Sequence, residues 1–279
     1  MPSIDSHAPG TPTWVDLSTP DLEGARRFYG GLFGWEFLIG PKEDAHYTMC
    51  LLGGRKVAGM SLKDPATPGR PYWALAFEAA DAKALAARVV ELGGKLVVPP
   101  TDASGLGTFA SCADPTGAGF NLWQSGKHQG AQVVREPGSM TWHEVNTRDG
   151  VRAKDFYAAL FGLEPRKRDD MSYWALHQGD TPVAGVLQMG PMWPKDLPPH
   201  WMNSFAIADV DRAAEQVKRL GGHVHVPPTD SPFGRFCIVT DPAGAGFTLI
   251  LPMEPDASRT LSGSSHRRAP SFSSGEGAH

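Results

Sequence analysis

The chain states one pattern twice. TPTWVDLSTPDLEGARRFYGGLFGW, opening at Thr11, is answered by MTWHEVNTRDGVRAKDFYAALFGLE, opening at Met140, with Trp14 and Trp142 standing 128 positions apart. Later, DAKALAARVVELGGKLVVPPTD is matched by DVDRAAEQVKRLGGHVHVPPTD, and CADPTGAGFNLW by VTDPAGAGFTLI. A repeat of this length means two copies of one folded unit. It divides the chain into a first domain at 11–124, a linker at 125–139 (SGKHQGAQVVREPGS) and a second domain at 140–251. The segment 252–279 is rich in Ser, Gly, Pro and charge, a composition that buries too little apolar surface to offset ordering, so a disordered tail is expected.

Each copy alternates short strands with two helices. TWVDL has the two-residue period of a strand, and STPD supplies a turn and a helix cap. Leu22, Ala25, Phe28, Tyr29 and Phe33 then fall at helical spacing, and Gly34 stops the helix. Strands follow around Trp35–Leu38, Tyr47–Leu52 and Val57–Ser61, each bounded by Gly or Pro. The order restarts with a strand at Trp73–Phe77, a helix at Asp81–Leu92 and strands at Lys95–Val98, Thr108–Cys112 and Phe120–Trp123. The predicted class is therefore α+β, with four strand–helix–strand–strand–strand units.

Several partner classes are disfavoured. An apolar fraction of 41% with 20% charged residues describes a soluble globular chain. No apolar run approaches the ~18–20 residues that cross a bilayer, and MPSIDSHAPGTP lacks the order of a signal peptide, so no membrane partner and a cytoplasmic location are expected. A net charge of -4 with no basic block on the folded part argues against nucleic acid. Cys50, Cys112 and Cys237 are widely spaced and read as small buried hydrophobes. No glycine-rich phosphate loop or nucleophile elbow is present, so no nucleotide cofactor is implied.

The four units, the F-Y-x-x-L-F-G helix end and the D-P-x-G turn before the last strand resemble the vicinal oxygen chelate superfamily. Its members include glyoxalase I, extradiol dioxygenases and fosfomycin- and bleomycin-resistance proteins. The resemblance covers residues 11–251 and is specific for fold more than for chemistry. It implies two tandem glyoxalase-like domains whose sheets curl into half-barrels with small-molecule sites on their concave faces. It also implies a divalent metal, held in members that do metal chemistry by two His and a Glu. Aligned on this chain, those positions carry Trp14 and Trp142, Ala74 and Met202, and Asn121 and Thr248. Trp and Ala cannot serve as ligands, so no metal or other cofactor is expected. A one-residue slip would bring His143 into play and leaves a residual divalent ion open.

Strand alternation sends Trp14 and Asp16 to one face and Val15 and Leu17 to the other; in the second copy Trp142, Glu144 and Asn146 share a face. Both pockets thus pair a Trp with a carboxylate two residues on. A carboxylate in a partly desolvated site has a raised pKa, which suits acid–base work. Equally, Asp16 and Glu144 could serve as structural groups satisfied by neighbours. His200, two before Met202, is a further proton-transfer candidate or a strand-end His, and Tyr72 matches it in the first copy. Tyr47–Met49 and Tyr173–Ala175 lie on matching strands, and His46, Trp174 and His177 can rim the pockets. The His223–His225 pair could present two metal ligands, but no carboxylate follows it. If units pair across copies, Trp14 and Asp16 face Met202, His200 and Thr248, and Trp142 and Glu144 face Tyr72, Ala74 and Asn121.

Three functions follow, in this order: a metal-independent lyase- or isomerase-type enzyme acting on a hydrophobic, oxygenated, possibly aromatic small molecule; a binding protein that sequesters such a ligand; and a divalent-metal glyoxalase or dioxygenase. Catalytic candidates are Asp16, Glu144 and His200; ligand-binding candidates are Trp14, Trp142, Asn121, Thr248, Tyr72, Met202 and Asn146. With both copies in one chain a monomer is self-sufficient, and a homodimer stays open.

Overall fold

The computed structural model describes residues 4–41, 46–66, 69–168, 171–191 and 193–253. The first copy runs β1 (Pro12–Thr19), α1 (Leu22–Phe33), β2 (Glu36–Ile39), β3 (Thr48–Leu52), β4 (Arg55–Leu62), β5 (Tyr72–Glu78), α2 (Ala82–Glu91), β6 (Lys95–Asp102), β7 (Gly107–Ala113) and β8 (Gly119–Ser125). The second repeats it as β9 (Met140–Thr147), α3 (Gly150–Phe161), β10 (Glu164–Arg168), β11 (Tyr173–Gln178), β12 (Thr181–Gln188), β13 (His200–Ala206), α4 (Val210–Arg219), β14 (His223–Ser231), β15 (Gly234–Thr240) and β16 (Gly246–Pro252). Apart from Pro252 and Met253, the segment expected to be a tail lies outside the described residues.

Each helix begins where an Asp caps free backbone N–H groups: Asp21, Asp81, Asp149 and Asp209 accept from residues two or three positions on. Helices α1 and α3 end at Gly34 and Gly162, whose φ values of 71° and 67° lie in the left-handed region that glycine tolerates best.

The strands form two eight-stranded sheets, ordered β2-β3-β4-β1-β5-β8-β7-β6 and β10-β11-β12-β9-β13-β16-β15-β14. Within each, β1–β4 and β5–β8 (β9–β12 and β13–β16) pair in parallel, and the two units join through antiparallel β1–β5 (β9–β13). Unit pairing is therefore within a copy, which corrects the cross-copy arrangement: Asp16 stands opposite Ala74, and Glu144 opposite Met202.

What crosses between copies is the helices and the core. The sheets meet at β5 and β13, where Asn203 Nδ2 donates to the Trp73 carbonyl at 3.0 Å. Helix α1 packs on α4, and its Phe28 and Tyr29 rings lie 6.3 and 5.7 Å from Phe247 of β16. Helix α3 packs on α2, with Phe161 stacked on Phe77 at 4.6 Å. The repeated motifs brace this exchange. Asp241 Oδ1 accepts the turn N–H groups of Ala243, Gly244 and Ala245, while Oδ2 accepts from Tyr29 of the opposite copy at 3.1 Å. Asp114 does the same for its own turn and for Tyr157 at 3.0 Å. Trp73 and Trp201 in turn donate to the Tyr29 and Tyr157 hydroxyls. Gly117 and Gly244 close those turns at φ 105° and 99°.

Candidate functional site

Alternation along β1 and β9 separates core from pocket. Val15, Leu17 and Val145 are fully buried in the core shared by the two copies, and His143 beside Val145 bonds Asn203 Oδ1 at 2.7 Å. Burial depresses the His143 pKa to about 4, so it stays neutral, a packing residue behind the sheet and not a pocket ligand. The other face carries Trp14 and Asp16, or Trp142, Glu144 and Asn146.

Each carboxylate is held by a tyrosine. Trp14 Nε1 donates to the Tyr47 hydroxyl at 3.1 Å, and that hydroxyl donates to Asp16 Oδ1 at 2.6 Å. In the second pocket Trp142 Nε1 donates to the Tyr173 hydroxyl at 2.9 Å, which in turn bonds Glu144. The tyrosines reach across β4 and β12 because Gly59 and Gly185 stand directly beside Asp16 and Glu144. A methyl group at Gly59 would land on the Tyr47 hydroxyl and Asp16 Oδ1, and one at Gly185 on the Tyr173 hydroxyl. Burial raises the Asp16 pKa, and it raises Glu144 to about 7 against the lowering effect of its bonds to Tyr173 and Trp142. Burial and the adjacent carboxylates push both tyrosines well above their ordinary range, so they act as O–H donors.

The remaining candidates fall in rows across the sheets. Trp14 faces Ala76, which pairs with Asn121; Trp142 faces Ser204, which pairs with Thr248. Asn121 Oδ1 accepts from Ser111 at 2.8 Å, and Thr248 is buried. Tyr72 stands opposite Ser18 and is half exposed, while His200 stands opposite Asn146. His200 Nδ1 bonds the Pro198 carbonyl at 2.8 Å, and Nε2 lies 3.4 Å from Asn146 Nδ2.

The two pockets differ in their cover. In the first, the linker folds back. His128 N–H donates to the Leu106 carbonyl, its own carbonyl accepts from Trp123 Nε1, and its ring sits edge-on to Trp14 at 4.4 Å. Trp14 is consequently only 4% exposed, and His128, held neutral by burial with a pKa near 4, is 7% exposed. Among the described residues Trp142 has no such cover, and it is half buried; beside it Phe233 packs against Tyr173 at 5.6 Å, with the Arg168 guanidinium 4.7 Å over the Phe233 ring.

A profile of the Glyoxalase/Bleomycin resistance protein/Dioxygenase superfamily matches residues 11–122 and 143–249. The chain belongs to that superfamily. Anthracycline biosynthesis protein DnrV of Streptomyces peucetius is 39% identical over 262 residues, spanning 87% of this chain and 94% of DnrV. The fold also matches the 2,3-dioxygenase LapB of Pseudomonas sp. KL28 (TM-score 0.63, 14% identity, 89% of this chain and 94% of LapB). The Mn(II)-bound glyoxalase of Novosphingobium aromaticivorans gives a TM-score of 0.61 at 19% identity, over 86% of this chain and 82% of the glyoxalase.

The superfamily's metal does not fit these residues. Indole N–H is a donor only, and in both pockets it is engaged with a tyrosine. Ala74 offers no ligand atom, Met202 only a soft thioether, and Asn121 already accepts a hydrogen bond. One carboxylate per pocket remains, and among the described residues no group of three or more His, Cys, Asp or Glu could hold an ion. No helix among them is long and apolar enough to cross a membrane.

The tyrosines were placed on matching strands, but their pairing with the carboxylates escaped sequence reading because it spans an intervening strand and the loop lengths differ between copies. Tyr47 and Tyr173 are 126 positions apart, as are Gly59 and Gly185, so a fixed step of 128 sets Tyr47 against Ala175. The repeated Val-Ala-Gly of VAGM and VAGV was the available signal. His128 carried none, since the linker occurs once.

Proposed function

We propose that the protein binds a hydrophobic, oxygenated aromatic small molecule and moves a proton on it, with Glu144 as the acid–base group of the second pocket. The observation that carries this reading is a half-buried carboxylate with a pKa of about 7, hydrogen-bonded by a tyrosine that stays protonated. Such a group accepts a proton from a hydroxyl, or from a carbon beside a carbonyl. It returns that proton at another position, giving isomerisation, or to a departing hydroxyl, giving elimination of water. Trp142 supplies a flat apolar wall. Likeness to an anthracycline biosynthesis protein supports a polycyclic aromatic substrate. The covered first pocket, with Asp16 paired to Tyr47 under His128, is assigned a supporting part.

A second reading has the protein bind such a ligand without changing it. The Tyr47–Asp16 bond of 2.6 Å favours it, because a carboxylate so satisfied needs no substrate to complete it. Incubation with polycyclic hydroxyquinones followed by product analysis separates the two, using Glu144→Gln and Asp16→Asn variants. The enzyme reading expects Glu144→Gln to lose product formation and Asp16→Asn to retain it. Recovery of bound ligand intact from the native protein would establish the second reading, and undiminished turnover in Glu144→Gln would refute the first.

A further inference from the structure

We infer that Asn146 and His200 form a subsite in the second pocket that recognises a hydroxyl group of the ligand as a hydrogen-bond donor. The substrate class this adds, a phenol or enol in place of an ether or bare ring, rests on the proton-transfer reading for its chemical use. The subsite's geometry stands apart from that reading.

Asn146 is 1% exposed, and its Oδ1 has no hydrogen-bond partner. Buried amide oxygens are nearly always paired, so one left over on the strand face it shares with Glu144 lacks the donor it requires. The neighbours fix which amide atom is left over. His200 Nδ1 lies 2.8 Å from the Pro198 carbonyl, which can only accept, so that nitrogen carries the proton. Burial disfavours the charged ring, and with the proton on Nδ1 the Nε2 lone pair faces Asn146 Nδ2 at 3.4 Å and accepts its N–H. The amide is thereby turned so that Oδ1 is the buried acceptor left unpaired, and only a donor satisfies it.

Position completes the case. Asn146 and Glu144 are alternate residues of β9 and share its pocket face, roughly 6–7 Å apart along the strand. A ligand hydroxyl held at Asn146 therefore sets the ring system over Glu144. In the first copy the same register pair is Ser18 and Tyr72, with no amide and no imidazole. The recognition belongs to the second pocket alone.

The test titrates native protein with 2-hydroxyanthraquinone and with 2-methoxyanthraquinone at pH 6, where the phenol keeps its proton, following tryptophan fluorescence. The native protein is expected to prefer the phenol about tenfold. Asn146→Leu should bring the ratio to within about twofold of one while leaving the ether's affinity nearly unchanged. His200→Phe should do so as well, because a freed amide turns and offers Nδ2 to the ether oxygen, raising ether affinity. A merely structural role for His200 would weaken both ligands alike. Should Asn146→Leu fail to fold by circular dichroism, His200→Phe decides. A native ratio near one, as when water satisfies Oδ1, overturns the inference. So does a fivefold or larger preference surviving in either folded variant. Glu144→Gln should keep the preference. If it keeps turnover too, the proton-transfer reading falls while the subsite stands. Binding of neither quinone overturns both.

Discussion

Replacing Glu144 by Gln should stabilise the protein above neutral pH while abolishing its chemistry. Burial lifts the Glu144 pKa from an ordinary 4.5 to about 7. A carboxyl group whose folded pKa lies above its unfolded one destabilises the fold whenever it must be charged. Its favourable contribution is complete below about 4.5, falls as pH rises, and is gone above about 7. The full difference corresponds to about 3 kcal/mol. Glu144 is half buried and keeps some solvent, so about 1–2 kcal/mol is expected in practice. Gln keeps the shape, accepts the Tyr173 hydroxyl and never charges.

The variant's melting temperature should therefore exceed the native one by roughly 2–6 °C at pH 8.5, and by little at pH 4.5. Calorimetry at the two pH values, beside product assays at pH 7, makes the measurement. A variant less stable at pH 8.5, or an equal shift at both pH values, would refute the claim that Glu144 is held against its charge. Gain of stability with loss of reaction would be the signature of a residue kept for function.

Tyr173→Phe removes a bond that lowers the Glu144 pKa, so the acidic limb of the kcat/KM profile should move above pH 7; an unmoved limb would detach Tyr173 from the reacting group. Gly185→Ala drives a methyl into the Tyr173 hydroxyl and should cost about 1–3 kcal/mol by urea denaturation, with turnover down more than tenfold. Tyr29→Phe leaves Asp241 Oδ2 without its donor and should cost about 1–3 kcal/mol with an unchanged denaturant slope. Dialysis against a chelator should leave any turnover intact, and a stoichiometric divalent ion whose removal stops it would overturn the donor-set argument.

The fold was legible because its signals are local and doubled. Helix caps, glycine stops and two-residue alternation act over a few positions, and each appeared twice. Val15 and Leu17 behind the sheet, with Trp14 and Asp16 before it, followed from alternation alone. Which units pair was not legible, because β1 is compatible with either β5 or β13 by pattern. The choice is made by long-range packing such as Tyr29 on Asp241. The F-Y and D-P-x-G motifs marked the family without revealing that they touch one another across copies. At the site, the carboxylates were visible through their fixed step. Their tyrosines could be placed on matching strands, but the bond from each to its carboxylate runs across β4 or β12 and leaves no local signal.

Duplication also carries an asymmetry that no comparison of the two copies reveals. One polypeptide needs a connection from β8 to β9, and here that connection lies over the first pocket. His128 seats its ring on Trp14, with both ring nitrogens buried and unpaired, a state tolerable only for a neutral imidazole. The first pocket thus spends its aromatic wall on holding the linker. In the second, Trp142 is half buried, Asn146 keeps an unpaired oxygen, and Glu144 has a pKa raised to about 7. Equivalent sequences have been folded into inequivalent surroundings, one covered by the linker and one without that cover among the described residues. A chain that joins two half-barrels in tandem can therefore leave its two equivalent carboxylates in different surroundings, because only one of them lies under the connection.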